Sequence, residues 1–149
     1  MEKICALRGG KAMNIFIACT KTKTEQCCAA KEMYKGALFI LAYKYAESLN
    51  GKIWILSAKY GLLHPNDVIA PYNKTLIGAS KIECKRWAYN VYLQMVRKKI
   101  DFKEDAVFLC GKNYYKYLIT KFKKGSAPMA HMRIGEQQKF LKERIYDEK

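Results

Sequence analysis

The chain has 149 residues, half of them apolar and 13% aromatic, which is enough for one packed domain and excludes a disordered tail. Lysine and arginine number 28 against 13 acidic residues, a net charge of +15. That charge says nothing of fold but biases the chain toward polyanions, nucleic acid first and an anionic membrane surface second.

No run reaches the ~18 apolar residues of a spanning helix, and Lys3, Arg8 and Lys11 interrupt what would be a signal core. The expected setting is the cytoplasm, with no membrane and no obligate protein partner. The cysteines stand at 5, 19, 27, 28, 84 and 110, without a C-x-x-C pair, and there are only two histidines. Free, mostly buried thiols are expected, with no metal and no organic cofactor.

Residues 1–12 read as a loose lead-in and 13–149 as one domain. NIFIAC at 14–19 is a buried strand. Residues 29–49 carry apolar side chains at helical spacing, from Ala30, Met33 and Tyr34 to Leu49, and Asn50-Gly51 ends that helix. IWILS at 53–57 is a second strand, and residues 58–79 read as a long loop. Ser80 and Glu83 form a capping box that opens a helix. Its inner face is Cys84, Trp87, Ala88, Val91 and Met95, and its outer face is basic. AVFLC at 106–110 is a third strand, followed by a Tyr- and Lys-rich helix over 112–123, a turn at 125–128 with a short fourth strand, and a helix over 135–146. This order predicts a three-layer α/β/α sandwich around a small, mainly parallel four-stranded sheet.

Ligands of open parallel sheets sit beyond the carboxyl ends of the strands. Here those ends carry Cys19 and Lys21, then Ser57, Lys59 and Tyr60, then Lys112. The basic character suits a phosphate-bearing ligand, with Lys21, Lys59 and Lys112 holding phosphates. No P-loop or G-x-G-x-x-G is present. Asp67 is the only acid between Lys52 and Ile82, set among His64, Asn66, Tyr72 and Asn73. It suits a water-activating base or a stabiliser of a developing cation; the bland reading is a turn after Pro65. Asn73 would orient water or read a base edge, and Tyr34, Tyr60 and Tyr72 would wall a flipped base. The helix with Tyr114, Tyr115, Lys116, Tyr117 and Lys121 interleaves cations and rings in a way that suits a nucleic-acid strand.

The segments ACTKTK, SAKYGLLHPND, APYNKTL and APMAHMRIGEQQKFL resemble a bacterial and phage family related to the peroxide-stress protein YaaA, over about residues 14–142. That family is in turn similar in architecture to the uracil-DNA glycosylases. AVFLCGKNYYKYL stands where those enzymes have an apolar strand, a glycine and a helix. The chain departs from them after strand one, where Cys19-Thr20-Lys21 replaces their acidic motif, and at their second loop, where it offers only Pro128 and His131. The resemblance implies a uracil-DNA-glycosylase-like fold. A further likeness in size, charge and family, to anti-phage DNA glycosylases, implies an enzyme that excises a modified base, α-glucosylated hydroxymethylcytosine of phage DNA, in antiviral defence. Asp67 and Asn73 would be its catalytic pair. The alternatives are a DNA-binding stress protein without chemistry, and a nucleoside N-glycosidase or transferase acting on small molecules.

Overall fold

The computed structural model describes residues 12–20 and 23–146. In chain order the elements are β1 (Met13–Ala18), β2 (Cys28–Ala29), α1 (Ala30–Met33), α2 (Ala37–Ser48), β3 (Lys52–Ser57), β4 (Gly61–Leu63), β5 (Val68–Ile69), α3 (Lys81–Arg97), β6 (Asp105–Leu109), α4 (Lys112–Tyr115), a 3-10 turn at Ile119–Lys121, β7 (Lys124–Ser126) and α5 (Ile134–Tyr146).

The main sheet has the order β4-β3-β1-β6-β7. Every pairing in it is parallel except β3 with β4. Ile17 of central β1 is level with Ile55 of β3 and Leu109 of β6. The three central strands read as continuous apolar runs because both faces of the sheet are covered. Right-handed crossovers put α2 on one face, since β1 leads outward to β3. The path from β3 back past β1 to β6 puts α3 on the other. The C-terminal α5 returns to the α2 face, where Phe140 meets Tyr45 edge-on at 6.3 Å. Phe16 stacks on Phe108 at 4.7 Å and meets Phe122 at 5.6 Å in the core. One buried amide crosses the sheet: Trp54 Nε1 donates to Asn14 Oδ1 (3.0 Å), and Asn14 Nδ2 donates to Glu104 Oε1 (2.9 Å).

The α/β sandwich is as expected, with a fifth strand. That strand lies inside the segment read as a loop: Gly61-Leu62-Leu63 turns back as β4 against β3. Three residues are too few to show a period, yet all three are buried. Val68-Ile69 also pairs, with Cys28-Ala29, as a separate ribbon. The helix expected over 29–49 is two helices, α1 and α2, because Tyr34 takes extended angles (φ −98, ψ 125) and Gly36 stands at the second N-cap. The helix expected over 112–123 is one turn of α4 followed by tight turns. Tyr114, Leu118 and Phe122 still face inward at a spacing of four, so the apolar period survives without a continuous helix.

The capping box at Ser80 and Glu83 forms as expected, with both reciprocal bonds present. Farther along α3, Gln94 ties the helix to β4: its Oε1 accepts the Leu62 N–H (2.9 Å), and its Nε2 donates to the Tyr60 carbonyl (3.1 Å). Gly61 makes this possible. Its φ is +77, and a Cβ there would overlap Gln94 Oε1. Gly61→Ala is therefore expected to cost ~2–4 kcal/mol, from left-handed strain plus loss of one or both Gln94 bonds. Urea unfolding checks this: the midpoint should fall with the slope unchanged.

Candidate functional site

The connection from β1 leads one way across the sheet and that from β6 the other, so the topological switch point lies between them. Cys19 follows β1 and Cys110 follows β6 there, both buried. Tyr114, one turn into α4, bridges the gap: its hydroxyl meets Cys19 Sγ at 3.3 Å and accepts the Leu76 N–H at 3.2 Å. Asn113 Nδ2 donates to the Leu76 carbonyl at 2.7 Å. The peptide units on both sides of Leu76 are thereby pinned over the switch point.

Ser57, at the end of β3, is fully buried. Its Oγ accepts the N–H groups of Lys59 (3.2 Å) and Tyr60 (2.9 Å), so its own proton goes to the Tyr72 hydroxyl at 2.8 Å. Tyr72 in turn lies 2.7 Å from the Tyr34 hydroxyl. Either phenol can donate in this bond, and in the arrangement where Tyr34 donates, Tyr72 keeps its own O–H for another acceptor. Tyr34 reaches this place because the chain breaks out of helix after Met33, and Gly36 lets the start of α2 close on β1. A Cβ on Gly36 would stand 3.0 Å from Thr20 Oγ1. That Thr20 oxygen is itself buried without a hydrogen-bond partner.

Burial holds these hydroxyls in their protonated form. Desolvation pushes the Tyr34 phenol up to about 12, against a smaller lowering by its bond to Tyr72. It also raises Tyr72 and Tyr114, and it raises the buried Cys110 thiol. The cluster is uncharged at neutral pH. Cations stand on its rim: Lys23 Nζ lies 4.5 Å from the Tyr72 ring centre, and Lys59 Nζ lies 5.3 Å from that of Tyr60. The Tyr60 ring meets Tyr72 edge-on at 5.4 Å.

Beside the cluster runs a groove of about 480 Å³ between α3 and the segments 58–61 and 74–79. Lys59, Lys74, Arg86 and Arg97 line it against a single acid, Glu83. Glu83 is committed to the cap through Ser80 N–H (2.9 Å), and that bonding holds its carboxyl below the usual range. Glu83, Arg86, Asn90, Gln94 and Arg97 follow one another at helical spacing, a polar stripe along one flank of α3. The floor is Trp87, whose Nε1 donates to the Ser57 carbonyl at 2.9 Å. Ile77, at the tip of the turn Leu76–Ala79, is 78% exposed at the rim.

Among the expected site residues, Cys19, Tyr34, Ser57, Tyr60 and Tyr72 come together, and Lys59 lies on the rim. Asn73 and Lys112 are exposed next to members of the cluster in sequence. Lys21 lies outside the described residues, as do residues 1–11 of the lead-in. Asp67 stands apart from the cluster. Strand β4 runs back along β3, so His64 meets Trp54, at 6.3 Å, and lies away from the carboxyl end. Asp67 closes the turn that follows: its Oδ2 accepts the His64 N–H (2.8 Å), and its N–H donates to the His64 carbonyl (2.9 Å). Its own carbonyl receives the Ala30 N–H (2.7 Å). The sequence reading missed Thr20 and the groove residues Lys74, Arg86 and Arg97. The 83-86-90-94-97 polar stripe was the signal available for the arginines. Among the described residues no group of three or more His, Cys, Asp or Glu could hold a metal ion, and no helix is long and apolar enough to cross a membrane.

A family model matches residues 15–143, so the chain belongs to that family, a family of unknown function (DUF6884). No curated protein and no solved structure matches it.

The buried phenols give the fold an alkaline limit. Above the ordinary tyrosine value near 10 the unfolded chain releases the Tyr34 proton, whereas the folded chain keeps it up to about 12. Stability is unaffected by this group below that window and falls through it, by about 1.4 kcal/mol per pH unit. Denaturant unfolding of wild type and Tyr34→Phe between about pH 9 and pH 12 should show a shallower decline in the variant by about that slope.

Proposed function

We propose that the protein is a DNA glycosylase, which extrudes one modified nucleotide and cleaves the bond between its base and the sugar. One observation carries this reading: an uncharged cluster of hydroxyls at the carboxyl end of the sheet meets, through Tyr60, a groove lined by four cations. Cations in a groove suit a phosphodiester backbone. Buried O–H groups with aromatic walls suit the polar edge and the face of a heterocycle. Tyr60 and Tyr72 supply those walls, and Ile77 fills the gap that the extruded nucleotide leaves in the stack.

In the reaction the C–N bond breaks with its electron pair leaving on the base, and the sugar becomes oxocarbenium-like. Negative charge gathers on the departing base, where a fixed O–H donor stabilises it. Tyr72 is that donor. Water adds to the sugar carbon and its proton is passed to the base, so the products are a free base and an abasic site. Asp67, which closes the His64 turn, is structural in this scheme, and Asn73 is the exposed neighbour of Tyr72 in the chain. The first substrate to try is phage DNA carrying α-glucosylated hydroxymethylcytosine, the choice that the likeness to anti-phage glycosylases makes, in a cytoplasmic defence role.

A second reading, a DNA-binding protein without chemistry, is favoured by one feature. No carboxylate is hydrogen-bonded to the hydroxyl cluster among the described residues.

Alkali-sensitive breaks on unmodified, hydroxymethylated, glucosylated and uracil-containing DNA decide between them. Breaks confined to one modified DNA are expected. Tyr72→Phe should slow cleavage ~10²–10³-fold while DNA affinity holds, the usual loss for one fixed donor. Asp67→Asn should keep cleavage. If Asp67→Asn folds but does not cleave, the carboxylate takes over the central role. Tight salt-sensitive binding with no breaks on any DNA establishes the binding protein instead.

A further inference from the structure

The groove occupies one flank of α3. The opposite flank carries Lys85, Tyr89 and Tyr92, and packs beside the turns that follow β6. There Lys85 Nζ lies 5.7 Å from the centre of the Tyr117 ring and Lys116 Nζ lies 5.3 Å from it. Lys121 Nζ lies 4.9 Å from the Tyr92 ring. Tyr89 is 61% exposed and stands between them on the helix surface. Tyr92 is held from below by Phe102, with ring centres 5.4 Å apart.

We infer that this flank is a second nucleic-acid surface, a stacking platform for single-stranded nucleic acid, separate from the groove. Three properties support it. The first is charge: no ion pair joins Lys85, Lys116 or Lys121 to a carboxylate among the described residues, and residues 111–135 contain no acid at all. The nearest acids in sequence are Glu83, which accepts the Ser80 N–H (2.9 Å), Glu136, which accepts the Arg133 N–H (2.7 Å), and Asp105 at the start of β6, whose buried Oδ1 has no hydrogen-bond partner. The second is placement: the exposed Lys85, Lys116 and Lys121 hold their ammonium groups over the half-buried rings of Tyr117 and Tyr92, within reach of a phosphate, and the exposed Tyr89 beside them offers flat surface. The third is reach: Lys85 to Tyr92 spans about 10 Å of helix, continued by Tyr117 and Lys116 from the neighbouring turns. Alternation of cations and rings over such a stretch binds unpaired strands with little sequence preference, because every base has a face to stack. A duplex hides those faces. The inference does not rest on glycosylase activity.

The test is fluorescence anisotropy with labelled oligothymidylate, oligouridylate and a duplex, across a salt series. Tyr89→Ala/Tyr117→Ala should weaken single-strand binding at least tenfold with the salt slope unchanged. Lys85→Gln/Lys116→Gln should reduce that slope by about 1.4, ~0.7 for each phosphate no longer neutralised. Both should leave duplex binding and base excision unchanged, and both should melt like wild type. Equal loss with the two oligonucleotides assigns the surface to single strands in general; loss with one alone assigns it to DNA or to RNA. If Tyr89→Ala/Tyr117→Ala does not fold, Lys85→Gln/Lys116→Gln carries the test. The inference is overturned if wild type binds no single strand, or if folded variants bind it as wild type does. It is also overturned if single-strand binding is lost only in Arg86→Gln/Arg97→Gln, which maps it to the groove.

Discussion

The Ser57 hydroxyl is the constraint from which the site is built. It is wholly enclosed at the end of β3, where the chain must reverse into β4. Its oxygen accepts two successive N–H groups of that reversal, leaving its proton one destination, Tyr72. Its carbonyl takes the indole of Trp87 and so fixes the depth of α3 against the sheet. One small side chain therefore sets the turn, the direction of a hydrogen-bond chain and the floor of the groove. Alanine there would remove the acceptor of the Lys59 and Tyr60 N–H groups, at ~1–3 kcal/mol for each donor left unsatisfied, while Tyr72 would keep its bond to Tyr34.

The rest of the site follows from separating charge from polarity. A chain at +15 must distribute its repulsion, and among the described residues no cation is hydrogen-bonded to the buried hydroxyls. Lysines stand over the faces of Tyr60 and Tyr72, where the ring quadrupole attracts them, and the Tyr72 phenol remains neutral because burial opposes its ionisation. In the proposed function, charge at the rim would draw a polyanion by long-range attraction that salt screens. Neutral hydroxyls below act at short range, where geometry decides. Neither layer could do the other's part: buried ammonium groups would be heavily penalised, and exposed hydroxyls would be hydrated.

How far this was legible from sequence depends on the length of each signal. β1, β3 and β6 are doubly covered, so their apolar runs announced them, and the strand-end rule then led to Cys19, Ser57 and Tyr60. β4 is three residues long and left no period to read. Tyr34 fitted a helical period that continued through Gly36, and only the closeness of Gly36 to Thr20 explains why the helix breaks there. Asp67 stood out as an isolated acid, a property of composition. Its placement depends on β4 running backward along β3, a long-range pairing that no local pattern encodes. The arginines of the groove were assigned to a uniformly basic outer face because helical spacing gives a residue's angle but not what stands opposite it.

That last point makes α3 more than a layer of the sandwich. Its inner face is committed to the sheet through Cys84, Ala88, Val91 and Met95, all buried. Its two remaining flanks differ in chemistry. One presents arginines and amides to a groove that β4 and the Leu76 turn complete. The other presents tyrosines and a lysine to the turns after β6. The difference comes from the neighbours: Gln94 is spent stitching β4, which holds the groove side at a fixed width, whereas Lys85 meets the Tyr117 ring and Tyr92 meets Phe102 and Lys121, all side-chain contacts. A cation held by backbone-anchored walls selects a ligand by shape. One held over an exposed ring selects only for charge and a flat face. The same helix thus carries a demanding surface and a permissive one, a ridge apart.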